Sequence, residues 1–181
     1  MKRQEFWFRM FAAPAFLFLV WLMAPANLYA GDVGKGACST GASRQLDYWV
    51  GNWNVTSPGA DYKGVSNVAV SMDKCLYTEN WNNGKGHIGK NLFAYSPDDK
   101  TWYGMFADNE GRVHIFTDGK VDDGAAVFHG PSRSETGATV LNRITIRKVS
   151  PVKVERTWEK STDNGATWNT VFQGEYTRPK L

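Results

Sequence analysis

"IGKNLFAYSPDDKTWYGMFADNEGRVHIFTDG", Ile88–Gly119, decides the fold. Residues 88–96, 101–108 and 112–118 are rich in aromatic, β-branched and small side chains, which suit a pleated, half-buried surface. Between them lie SPDDK and DNEG, whose Pro, Asp, Asn and Gly residues turn the chain sharply. Gaps this short leave no room for a crossover helix, so neighbouring runs pair antiparallel.

The same rhythm extends in both directions. Residues 52–57, 64–72 and 75–81 precede this stretch, and residues 124–130, 138–149, 152–160 and 167–178 follow it. Further turn signals stand between them: SPGADYK, NNGKG, DG, DDG, SP and STDNGA. No segment after Val50 carries sustained helical periodicity. The chain therefore reads as all-β, an up-and-down antiparallel β-barrel of about ten strands, because closure removes the exposed edges of an open sheet. A two-sheet sandwich is the alternative. SRQLDYWV, residues 43–50, predicts one short helical turn before the first strand, with Ser43 as its cap.

The N-terminus has a different character. Lys2, Arg3 and Arg9 precede the apolar run Met10–Ala24, and PANLYA then offers a cleavage site after Ala30. Residues 1–30 read as a signal peptide, 31–42 as a flexible leader and 43–181 as the barrel domain. The expected location is exported, periplasmic or secreted, with no stable membrane insertion after cleavage. Residues 31–181 carry nearly balanced charge, because three of the 21 Lys/Arg and one of the 18 Asp/Glu belong to the signal. Balanced charge leaves no footprint for nucleic acid. Cys38 and Cys75 both lie beyond the signal, and an oxidising compartment favours a disulfide between them; two free thiols are the alternative.

Gly51-x-Trp53 in LDYWVGNWNV, following a helical turn and opening the first strand, resembles the G-x-W signature of lipocalins. That resemblance implies that Trp53 plugs the closed end of the barrel under a basic residue from a late strand. Arg156 is the first candidate and Arg178 the second. DYWVGNWNV, CLYTENW, the run at 102–111, RTWEKSTDNGATW and the closing F-x-G-x-Y-x-R at 172–178 together resemble a family of bacterial exported lipocalin-like proteins. Their function is undetermined, so the resemblance implies a calycin-like barrel and no reaction. STDNGATW, Ser161–Trp168, also resembles the Asp box of sialidases. It occurs once, it holds no catalytic residue, and its Asp and Gly serve to turn a corner.

The chain has no nucleophile motif, and none of its three histidines has the spacing of a metal site with another. No cofactor is expected. Strand alternation groups Tyr77, Glu79 and Trp81 on one face, Trp102 and Phe106 on a second, His114 on a third and Trp158 with Arg156 on a fourth. These faces combine bulky aromatics with a few ionisable groups, as the interior of a small binding barrel does. The expected ligand-binding set is Tyr77, Glu79, Trp81, Trp102, Phe106, His114 and Trp158. Its guest is a small amphipathic or apolar molecule, its polar end met by Glu79 or His114. An envelope interaction protein with a filled barrel is the second reading. An isomerase, cyclase or hydrolase using Glu79 or His114 as base is the third.

Overall fold

Turn residues set the order of the strands. Asp123 and Gly124 take φ of 43° and 69°, and Asn164 and Gly165 take 59° and 92°, so the left-handed region is occupied where the sequence offers residues that tolerate it. The computed structural model describes residues 38–39 and 41–180. Residues 1–30, read as the signal, and most of the leader lie outside the described residues. No helix among the described residues is long and apolar enough to cross a membrane.

Ten strands follow one another: β1 (Gly51–Ser57), β2 (Ala60–Ser71), β3 (Leu76–Asn82), β4 (Ile88–Ser96), β5 (Thr101–Asp108), β6 (Val113–Asp122), β7 (Ala125–Arg133), β8 (Thr139–Ser150), β9 (Lys153–Ser161) and β10 (Asn169–Thr177). Each pairs antiparallel with the next, and β1 pairs with β10, which closes the barrel. The closing seam is short, running from Asn54↔Thr177 to Thr56↔Glu175. A closed barrel, not a sandwich, is the outcome.

The DG at 118–119 is not a turn. It lies inside β6, which runs on to Asp122. The register of β5 against β6 shifts between Trp102 and Gly104, and a Cβ at Gly119 would meet Trp102 and Phe128 at 2.6–2.7 Å. Glycine is there because two aromatics need the space. The turn falls one step later, at Asp123–Gly124.

One end of the barrel is plugged. Two 3₁₀ turns, Gly41–Arg44 and Asp47–Trp49, begin two residues earlier than Ser43 predicts, and they lie across this end. Leu46 and Trp49 are fully buried. Tyr48 Oη donates to Ile146 O at 2.8 Å, Gln45 Nε2 to Val121 O at 3.2 Å, and Tyr77 Oη to Asp47 at 2.6 Å. Cys38 is bonded to Cys75, so the end of the leader is pinned to the barrel rather than free. Met72, Asp73 and Lys74, just before Cys75, all have positive φ. Arg44 Nη1 donates to Lys74 O at 3.0 Å and holds that corner against the plug.

Trp53 lies at this closed end, 1% exposed, its indole N–H donating to Trp49 O at 2.8 Å. Arg178, not Arg156, covers its ring, with the guanidinium carbon 3.6 Å from the ring centroid. Arg178 also donates to Val50 O at 2.9 Å. The reason for Gly51 follows directly: its φ is 125°, and any Cβ there would collide with the Arg178 guanidinium. Arg156 cannot take this place because strand alternation turns it into the barrel, two residues from Trp158 on the same face.

Candidate functional site

Along the barrel axis, the inward side chains fall into three zones. Next to the plug, aromatics pack ring against ring: Trp49 on Phe93 at 5.7 Å, Tyr77 on Trp102 at 5.6 Å and Phe93 on Phe128 at 4.4 Å between centroids. Edge-to-face packing of this kind adds to simple burial. Trp102 donates through its indole to Gln45 at 3.4 Å, and burial followed by the Asp47 hydrogen bond raises the Tyr77 phenol well above its ordinary range. Tyr77 and Trp102 thus point inward but serve the plugged end.

The middle zone is polar. Glu79 is 0% exposed and Arg156 4%. Arg156 Nη1 donates to Glu79 Oε2 at 2.6 Å, Asn91 Nδ2 to the same oxygen at 2.7 Å, and Ser66 Oγ to Glu79 Oε1 at 2.8 Å. Arg156 Nη2 completes the ring by donating to Asn91 Oδ1 at 3.1 Å. Burial alone would make Arg156 easier to deprotonate, but the Glu79 carboxylate, with the Tyr176 hydroxyl, holds its proton more firmly than usual. A buried ion pair needs such extra hydrogen bonds to offset its lost hydration. Glu79 does not reach an open space: both its oxygens are engaged by donors from β2, β4 and β9. It anchors Arg156, which weakens its reading as a base or as the residue that meets a ligand.

The third zone is open. Beyond Arg156 lies a hollow of about 350 Å³ at the end of the barrel opposite the plug. Trp81, Phe106, His114, Trp158 and Phe172 wall it, with Arg156 at its floor and Arg112, Glu110 and Lys160 at its mouth. Trp158 is the centre of an aromatic cluster, edge-on to Phe106 at 5.0 Å and to His114 at 4.8 Å. Its indole N–H donates to Asn142 at 3.1 Å, which fixes the ring. Phe172, the cross-strand neighbour of Trp158, meets Trp81 edge-on at 5.8 Å. Of the seven residues expected to bind, the hollow brings together Trp81, Phe106, His114 and Trp158. It does not include Tyr77, Glu79 or Trp102.

Two buried polar atoms at this hollow have no partner among the described residues, Arg156 Nε and His114 Nδ1. Unsatisfied buried groups cost roughly 1–3 kcal/mol each. Burial first, then the charges of Lys160 and Arg112, lower the pKa of His114, and Asp108 only partly opposes them. The local field is therefore positive. At the rim, His87, Asp108 and Glu110 place ligand atoms within 4.8 Å of one another. The Arg112 guanidinium already stands among them, 2.7 Å from Asp108, 2.8 Å from Glu110 and 3.0 Å from His87 Nε2. Burial by itself would raise the Asp108 carboxyl, but the Arg112 amide, its guanidinium and His87 bring it down to about 2.

A larger hollow of about 800 Å³ lies on the outer faces of β1–β5. Asn52, Asn54, Asn67, Asn80 and Asn82 line it beside the exposed Val65 and Ile88. The buried carboxylate along it, Asp108, is already engaged by Arg112 and His87.

The STDNGATW corner is a hydrogen-bonded turn. Asp163 accepts from Ser161 Oγ at 2.7 Å, Thr167 N at 2.9 Å and Thr167 Oγ1 at 2.5 Å, and these bonds, Thr167 foremost, lower its pKa to about 2. Trp168 folds back to donate to Gly165 O at 3.1 Å, under Arg143 at 4.2 Å.

No family model matches the chain, and no curated protein matches it. Fold and site together define a class: a closed ten-strand up-and-down barrel, plugged at one end and hollow at the other, with a buried Glu–Arg pair between them.

Proposed function

We propose that the protein is an exported binding barrel that holds a small, partly apolar molecule in the hollow at its open end, in the manner of lipocalins. The observation that carries this reading is the hollow itself. Its volume of about 350 Å³ falls at the small end of the range typical of ligand sites, and its walls are aromatic with a few aimed polar groups. Trp53 under Arg178 supports the lipocalin-like comparison. The Cys38–Cys75 disulfide supports export. Native mass spectrometry of protein purified from its own envelope tests the reading. A retained small molecule, released on unfolding and lost in Trp158→Ala, is the expected result. Protein that carries no adduct, and that neither binds nor brightens an apolar fluorescent probe, would refute it.

A further inference from the structure

The outside of the barrel has two characters. On β8–β10 the outward positions carry Arg143, Arg147, Lys153, Glu155, Glu159 and Glu175. These charges pair with one another, Arg143 with Glu159 at 2.8 Å and Lys153 with Glu155 at 3.4 Å and Glu175 at 3.2 Å. On β4, β5 and the first half of β6, Lys90 is the one outward charge among the described residues. Apolar side chains there align in rows across the strands. Leu92, Met105 and Ile115 form one row; Ala107 and Val113 flank it toward the mouth, Ala94 and Tyr103 toward the plug. Val113 is 58% exposed, Ile115 47% and Tyr103 39%. We infer that two copies of this chain pack together through this face of β4–β6, as a two-fold dimer.

A contiguous apolar face depleted of charge, with Tyr and Met in it, has the composition of an interface core. Its partner must also be apolar and uncharged at the centre, and the face itself meets that requirement. Sheets stack face to face with their strands nearly aligned. A two-fold axis along the Leu92–Met105–Ile115 row sets each of these side chains on its own copy. The same axis lays Lys90 of one copy over Ala94 of the other, beside Tyr103 and Asp99. Asp99 accepts from the neutral hydroxyls of Ser96 at 2.9 Å and Tyr103 at 3.0 Å, and makes no ion pair among the described residues. Lys90 makes none either, so the contact matches an unpaired cation with an unpaired carboxylate, twice by symmetry. Three strands about 4.8 Å apart and about six residues long give roughly 300 Å² of flat area per copy. Standard interfaces bury about 800 Å² per partner, so this is the centre of a small one. It suits a dimer that forms at micromolar concentration rather than a permanent one.

Sedimentation velocity of the disulfide-bonded protein over roughly 1–300 µM tests this, and a monomer–dimer shift within that range is expected. Ile115→Lys sets two ammonium groups against each other on the axis and should weaken association about tenfold or more. Val152→Lys changes an equally exposed valine on the β8–β9 turn and should leave association unchanged. Lys90→Glu should weaken it about threefold or more by facing Asp99. Near-ultraviolet circular dichroism checks that each variant folds; if Ile115→Lys does not, Tyr103→Lys makes the same test. Monomer throughout the range, or a dimer that survives Ile115→Lys, overturns the assignment. A Lys90→Glu dimer as tight as wild type overturns the axis. A monomer that floats with phospholipid vesicles, and loses that in Ile115→Lys, would give the face to a lipid surface and overturn the dimer.

Discussion

Removing Glu79 and Arg156 together should cost no more than removing Glu79 alone. Glu79→Leu leaves the Arg156 guanidinium 4% exposed with no counter-charge, and strands one bond each from Ser66 and Asn91. Breaking a buried pair in this way costs about 3–5 kcal/mol. Arg156→Met costs a similar amount, because it leaves the Glu79 carboxylate fully buried without its cation. Independent effects would sum to roughly 6–10 kcal/mol, enough to unfold most domains. The double variant instead removes both charges and fills the space with apolar atoms. Only the Ser66 and Asn91 bonds remain unmade, so its cost should be about that of either single, roughly 3–5 kcal/mol. The coupling is then about 3 kcal/mol or more. Urea unfolding followed by near-ultraviolet circular dichroism measures all four corners of the cycle. In thermal melts each single should lose roughly 6–20 °C, at about 2–4 °C per kcal/mol for a chain of this size. Additivity within about 0.5 kcal/mol would refute the reasoning, since it would mean that Glu79 and Arg156 do not compensate each other.

Gly51→Ala should destabilise by about 2–4 kcal/mol, from the strained φ together with loss of the Arg178 stack on Trp53. In an Arg178→Ala background its cost in a urea titration should shrink to the backbone strain alone; an undiminished cost would show that the collision with Arg178 is not the cause. Cys38→Ser opens a loop of 37 residues' separation and should cost about 4 kcal/mol in non-reducing melts. A melt indistinguishable from wild type would mean that the plug stays seated without its tether. His114→Phe addresses pH. The folded chain holds the His114 pKa down through burial, Lys160 and Arg112, so the unfolded chain binds its proton first. Stability should therefore fall as pH drops below about 6.5, the ordinary His value, and be unaffected above it. The variant should lose that part of the acid sensitivity; identical pH profiles for both proteins would count against the buried placement of His114.

The fold was legible because its signals are local. Each turn carries its own Gly, Asp or Asn, and each strand its own alternation. The exception, DG at 118–119, was misleading for a non-local reason: Gly119 is small because Trp102 and Phe128, on two neighbouring strands, crowd it. A glycine that makes a turn and a glycine that makes room look alike in one dimension. Alternation made the grouping of each face legible but not its direction; Tyr77, Glu79, Trp81, Trp102, Phe106 and Trp158 read as inward because those faces mix bulky aromatics with ionisable groups. Their division between plug and hollow was not legible, because it depends on height along the barrel axis. Lys160, Phe172 and Arg156 at the hollow were not singled out as contacts. Lys160 and Phe172 share the inward parity of Trp158 and Tyr176, and that parity was the available signal.

Interior glycines set where the aromatic rings of the barrel can lie. Gly104 sits under Phe93, Gly119 under Trp102 and Phe128, and Gly174 between Phe172 and Tyr176. Gly104 and Gly119 make room for rings from neighbouring strands, and Gly174 for Phe172 and Tyr176 of its own strand. Near the plug these pairings interlock with Trp49 and Tyr77, and the rings meet across the barrel. Toward the mouth the comparable pairing is Gly89 with Phe106, whose ring fills the space over Gly89 and meets Trp158 edge-on. Phe172 lies over Gly174 in the same way. Phe106 meets Trp158 and Phe172 meets Trp81 edge-on, and the hollow lies among these four rings above Arg156. Gly89 makes room for one of the rings that wall the hollow, and the buried Glu79–Arg156 network forms its floor. Filling Gly89 should test this: Gly89→Ala places a Cβ 2.7 Å from the Phe106 ring and should push it into the lumen. Binding of an apolar probe should then weaken more than stability falls. A variant that melts lower but binds as before would mean that Phe106 can move aside and that the glycine does not set the hollow.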